Sequence, residues 1–181
     1  MTEDNKLTLH LVVTSLCDRY CYYCCNKEYD IHNLEYVTDE DFKKCDLLCL
    51  TGGEPFTYAN PNNLARRYKQ DYPNIKNVIV YTNAFDLMKH LDTCNFSHAF
   101  RYINGLSVSV KDTFDAEAFR SFIYYKQFTT WWNSELKLNR LYDFTGYIDK
   151  SEAANAGFEY IKREWQKEFV PAPNCIFRRG N

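Results

Sequence analysis

Cys17, Cys21 and Cys24 fall within eight residues in the pattern C-x3-C-x2-C. As thiolates on one tight loop, each can ligate a different iron of a [4Fe–4S] cubane, leaving the fourth iron open for another ligand. The same thiolates could share one zinc ion with a fourth ligand, for which Cys25, Cys45 and Cys49 are the candidates. Structural zinc usually carries a second Cys or His pair at recognisable spacing, and this sequence has none. Cys25 adjoins Cys24, and neighbouring side chains diverge, so it is not expected to join a cluster. Cys45 and Cys49, in or before an apolar run, read as small core residues. Cys94 and Cys175 are isolated, so no second cluster is expected, and His10, His32, His90 and His98 form no ligand spacing.

Thr51-Gly52-Gly53-Glu54-Pro55 places two of the chain's six glycines side by side. Glycine lets backbone approach a ligand closely and adopt torsions closed to other residues. A carboxylate beside such a turn can accept charge-assisted hydrogen bonds from an ammonium group. An ordinary strand-exit turn is the plain alternative. Ser107, Ser109 and Lys111 alternate and so share one face of a strand, either an interior polar site or a solvated surface. Arg178 and Arg179 read as a solvated tail, and Trp131-Trp132 as packing.

These groups need a frame. LTLHLVV (7–13) predicts a buried first strand, followed by a Cys- and Tyr-rich loop to about residue 36. Thr38, with Asp41 three residues on, opens a short helix through a capping box. LLCL (47–50) predicts a second strand running straight into TGGEP. A helix between Pro61 and Pro73 follows, then a strand over 77–83, a helix over 86–92 and a strand over 105–111. Beyond these, the pattern predicts a helix over 116–132, a fifth strand over 140–148, an amphipathic helix over 151–169 and a short last strand in the tail. Strands alternating with helices imply a parallel sheet with right-handed crossovers. Five or six strands fall short of the eight of a closed barrel. The expectation is an α/β fold, a partial, open (β/α)5-6 barrel. Functional groups in such sheets collect at the carboxyl ends of the strands, where the Cys loop, the GGE turn, Asn83 and Lys111 all fall.

The 181 residues suit one domain, 1–181, with a motif-bearing core at about 7–111 and a substrate-recognition part at about 112–181. A net charge of −2 without a long basic run gives no electrostatic footprint of a nucleic-acid binder. No stretch nears the ~18 apolar residues of a membrane span. The first fifteen residues lack a basic n-region and a cleavage site, so the cytoplasm is expected. There, eight cysteines point to metal ligation, catalysis or free thiols rather than disulfides.

Taken together, C-x3-C-x-aromatic-C after a first strand and GGE-P after a second resemble the radical S-adenosylmethionine (SAM) superfamily, over roughly the first 110 residues. The resemblance implies a small, single-cluster member in which Cys17, Cys21 and Cys24 bind a [4Fe–4S] cluster. The amino and carboxylate groups of SAM would chelate its open iron. It implies reductive cleavage of SAM to methionine and a 5′-deoxyadenosyl radical that abstracts hydrogen from a substrate, making the enzyme an oxidoreductase or lyase. An electron donor such as flavodoxin or ferredoxin is implied with it. Carried over by position, Tyr23 approaches the adenine, and the Gly52–Gly53–Glu54 turn meets the SAM amino group, largely through backbone carbonyls. Thr82 and Asn83 line the SAM site, although Ala84 stands where a Thr-Asn-Gly turn is common. If their face is interior, Ser109 and Lys111 meet the ribose or carboxylate, and Gly146 approaches the adenine or makes a simple turn. No catalytic residue is named, and the substrate, small molecule or protein, stays open. One alternative is a glycyl-radical-enzyme activase acting on a protein glycine. Another resembles 7-carboxy-7-deazaguanine synthase, with a pterin in a polar pocket. A zinc-binding module is the non-enzyme alternative.

Overall fold

A computed structural model describes residues 7–27, 30–93, 100–126, 136–164 and 172–180. The chain runs β1 (Leu7–Thr14), α1 (Asp39–Lys44), β2 (Cys45–Gly52), α2 (Pro55–Tyr58), α3 (Pro61–Asp71), β3 (Asn77–Asn83) and α4 (Ala84–Thr93). It continues through β4 (Gly105–Val110), α5 (Thr113–Lys126), β5 (Arg140–Asp143), α6 (Lys150–Asn155), β6 (Glu159–Lys162) and β7 (Cys175–Arg179). Local chemistry sets several boundaries. Thr38 and Asp41 form the expected capping box on α1. Asn60 caps α3, with Pro61 in its first turn, where a missing N–H costs nothing.

All strands lie in one parallel sheet, ordered β6-β5-β4-β3-β2-β1-β7. Because β1 to β6 follow one another across the sheet, right-handed crossovers keep their helices on a single face. Leu9, Leu11, Leu48, Leu50, Val80 and Val108 point to that face and form one core with helix residues such as Ala65, Leu87 and Phe119. Phe119 is fully buried, edge-on to Phe158 at 5.2 Å. Burying such a ring contributes about 1.5–3 kcal/mol. The alternate residues of every strand face the other way and line one cavity of about 580 Å³. The two edge strands, β6 and β7, share it, so the sheet wraps into a partial, open barrel.

Among the described residues the sheet has seven strands, not five or six. The expected helix over 151–169 stops at Asn155, and β6 takes up part of its span. Gly157, at φ +75°, ends α6: its N–H reaches Ala154 O while Phe158 N–H reaches Ala153 O, a Schellman motif. Beyond it the backbone pairs with β5, Arg140 opposite Glu159, and tertiary pairing overrides the amphipathic pattern. β5 stops at Asp143 rather than residue 148, because that carboxylate gathers the N–H groups of Thr145, Gly146 and Ile148 into a turn. Gly146 supplies the positive φ of that turn, with nothing within 4 Å of where a Cβ would stand.

Arg178 and Arg179 are not a solvated tail. β7 inserts beside β1; Arg178 pairs with Glu35 and Asp41, and Arg179 lies 3.8 Å from the Tyr36 ring centre. Cys94, His98, Trp131, Trp132 and the far ends of the predicted helices over 116–132 and 151–169 lie outside the described residues. Among the described residues no helix is long and apolar enough to cross a membrane.

Candidate functional site

β1 and β2 are neighbours, so the Cys loop leaving β1 and the glycine turn leaving β2 emerge side by side. They are stitched together by backbone: Gly53 N–H donates to Thr14 O at 2.7 Å, and Glu54 N–H to Leu16 O at 2.8 Å. On the far side of the loop, Asn26 Nδ2 donates to Gly52 O at 3.0 Å. The loop that carries Cys17, Cys21 and Cys24 is thus held at both ends against the GGE turn. The glycines make this approach possible. A Cβ on Gly53 would stand 1.9 Å from Leu16 O, and one on Gly52, whose φ is +131°, 2.1 Å from Thr14 O. Sequence reasoning places a side chain at Gly53 against a ligand; the structure places it against the Cys loop backbone.

Glu54 is 1% exposed and caps α2 through Phe56 N–H. Its carboxylate also accepts from Thr82 Oγ1 at 2.6 Å and from Asn83 Nδ2 at 2.8 Å and backbone N–H at 3.2 Å. Asn83 Nδ2 reaches on to Asp86 Oδ2 at 2.6 Å, a buried second carboxylate that no motif pointed to. The spacing Asn-x-x-Asp at a helix start was its one sequence signal. Thr82 and Asn83 therefore organise Glu54, and with it the join between the β2 and β3 exits. Burial pushes the Glu54 carboxyl up to about 7, against the Thr82 hydrogen bond and with help from the Asp86 charge.

Folded Glu54 therefore holds its proton more tightly than in the unfolded chain. The stability this contributes is fully present below about pH 4.5 and lost as pH rises through about 7. The loss amounts to roughly 3 kcal/mol. Denaturant melts of Glu54→Gln beside the parent should lack this decline, and parallel pH profiles would refute it.

Arg19, between the first two cysteines, crosses to the β4 exit: it pairs with Asp112 at 2.7 Å and with fully buried Asp115 at 3.3 Å. Asp115 also accepts the Lys111 and Phe85 N–H groups. The β4 rim and the Cys loop thus form one unit. Ser107, Ser109 and Lys111 line the cavity, so their face is the interior one, and Ser109 Oγ donates to Thr82 O at 3.3 Å. Tyr23 stacks on Phe144 at 5.8 Å, at the β5 exit. Cys45 is a buried core thiol that burial pushes up to about 11. Cys49 and Cys175 line the cavity, as does His10.

Cys17, Cys21 and Cys24 are free thiols lining the same cavity as Gly52, Gly53 and Glu54. Among the described residues no three His, Cys, Asp or Glu side chains are gathered as a site for a metal ion. A cubane asks for something different, one thiolate on each of three separate irons. The chemistry of the donor set fits that: three thiols from one loop, beside two cations. Burial pushes the Cys21 thiol up, while the Lys111 and Arg19 charges pull it back toward the thiolate. Fold and site together define an α/β protein whose open parallel sheet holds a thiol-bearing cavity at its carboxyl rim. No family model and no curated protein matches the chain. Among solved structures it is similar to BtrN, solved in complex with AdoMet and 2-DOIA, at 15% identity and a TM-score of 0.48, over 86% of this chain and 69% of that one.

Proposed function

We propose that this chain is a radical SAM enzyme, with one [4Fe–4S] cluster on Cys17, Cys21 and Cys24 and SAM beside it. The observation that supports this best is the clamp of the Cys loop onto the GGE turn at the mouth of one cavity. When bound, the cluster supplies the single electron that cleaves SAM to methionine and a 5′-deoxyadenosyl radical, and the protein supplies position. The Glu54 carboxylate is already engaged by four N–H or O–H donors, so it shapes the turn. The SAM ammonium then falls to the backbone of Thr51–Gly53. Lys111 stands at the rim for the SAM carboxylate, and the stacked Tyr23 and Phe144 offer an aromatic surface to the adenine. An electron donor of the flavodoxin or ferredoxin kind would meet the outer side of the loop, where Leu16, Tyr20 and Tyr22 are exposed.

Anaerobically reconstituted protein should be brown, and with dithionite it should turn SAM slowly into 5′-deoxyadenosine without any substrate, followed by chromatography. Colourless, zinc-loaded protein, or cluster-loaded protein that forms no 5′-deoxyadenosine under any reductant, would sink the reading.

A further inference from the structure

Past the cysteine rim, the cavity continues along the inner face of the sheet toward the amino ends of the strands. Its walls there are aromatic. The His10 ring stacks on Phe177 at 4.4 Å and lies 5.4 Å from Tyr81, which in turn stacks with Tyr142 at 6.2 Å. Ser107 Oγ, in the same region, is 1% exposed and makes no hydrogen bond of ordinary length, though it lies beside the Tyr81 phenol. A buried hydroxyl left this way is suited to a ligand.

The charge of the lining is one-sided. Its described residues include Arg19, Lys111, Arg140 and Arg163, against a single carboxylate, Glu54. Arg19 is committed to Asp112 and Asp115, and Lys111 stands by Cys21 at the rim. Arg140 differs. It starts β5, directly opposite Ser107 on β4, and its charge is felt by His10, Cys49, Tyr81 and Tyr142 together. Only its Nε is engaged among the described residues, by the exposed Glu159 at 3.1 Å, so its two Nη groups carry no hydrogen bond there. Burial, with the Arg140 charge, holds the His10 imidazole down at about 4, so at neutral pH it adds no charge to the wall.

Resting on the SAM reading above, we propose that this inner end is the substrate subsite, and that it takes a small planar ring bearing an oxyanion, carboxylate or phosphate. The ring lies against Tyr81, Tyr142 and His10. The oxyanion takes the paired Nη donors of Arg140, with the Ser107 hydroxyl as a further donor. A guanidinium fork matches a two-oxygen anion in a way an ammonium does not. The inner end is part of the one cavity of about 580 Å³ that also takes in the cysteine rim, and its ring-walled lining with a few placed polar groups is of the character that small molecules occupy.

The test needs neither cluster nor SAM. Benzoate, phenyl phosphate, inorganic phosphate and neutral benzamide are titrated into the full-length protein by ligand-observed NMR. Benzoate or phenyl phosphate should bind at least about tenfold tighter than benzamide, the factor expected for a charge-assisted pair. The tighter of the two names the anion. Arg140→Gln should erase the preference. Arg140→Lys should keep part of it, and it serves if the Gln variant does not fold. Equal binding of benzoate, phenyl phosphate and benzamide, undiminished binding by both Arg140 variants, or inorganic phosphate binding as tightly as phenyl phosphate would each overturn the proposal. An anion-selective pocket in a protein that never binds SAM would refute the functional reading and leave the subsite standing.

Discussion

Cys17→Ala, Cys21→Ala and Cys24→Ala, reconstituted anaerobically, should each lose most of their iron and visible absorbance, while Cys25→Ala keeps about four iron per chain. The three thiols sit on one loop that is held at both ends against the GGE turn. On the radical SAM reading, losing one would leave an iron of the cubane without a protein ligand. The neighbouring β2 thiols are poor substitutes. The ligand is the thiolate, and burial holds Cys45 and Cys49 protonated on a rigid strand. Iron and sulfide analysis with absorbance spectra would decide. Equal loss from Cys25→Ala would overturn the ligand assignment, and iron surviving in the triple Ala variant would place the ligands elsewhere.

Gly53→Val should remove cluster and SAM binding together and lower stability by roughly 2–4 kcal/mol. The added Cβ meets Leu16 O at 1.9 Å and Leu16 C at 2.4 Å, backbone atoms of the Cys loop that cannot rotate away. Either the turn or the loop must move, and the Gly53 and Glu54 hydrogen bonds to Thr14 and Leu16 break with it. Iron analysis, calorimetry with SAM and a thermal melt read the three effects separately. Full iron with lost SAM affinity would mean that Gly53 faces the ligand after all. Full iron with full SAM affinity would mean that the loop and turn are not coupled.

Much of the frame was legible because the forces involved are short-range. Apolar runs of strand length, the Thr38–Asp41 box and the prolines flanking α3 mark β1 to β4 and their helices within a few residues. The alternation of Ser107, Ser109 and Lys111 places them together on one face whatever the sheet does. Which face that is could not be read. It depends on the side that the helices cover, and the handedness of several crossovers decides that jointly. β6 shows the same limit. Its residues have a helical pattern, and they form a strand because β5 offers them backbone partners.

The sequence by itself determined the reactive groups: three cysteines on one loop, a paired glycine turn and the polar ends of strands three and four. Their chemistry needs only residue type and local spacing. Tertiary structure alone decided what surrounds them. Arg19 and Asp112 are 93 positions apart, Asn83 and Glu54 29 apart, and Arg140 belongs to a region where no motif stands out. Asp86, Asp115 and Arg140 matter through charge and hydrogen bonding across the fold. Such contacts depend on distance in space, which residue spacing along a chain does not encode once strands from remote segments lie side by side.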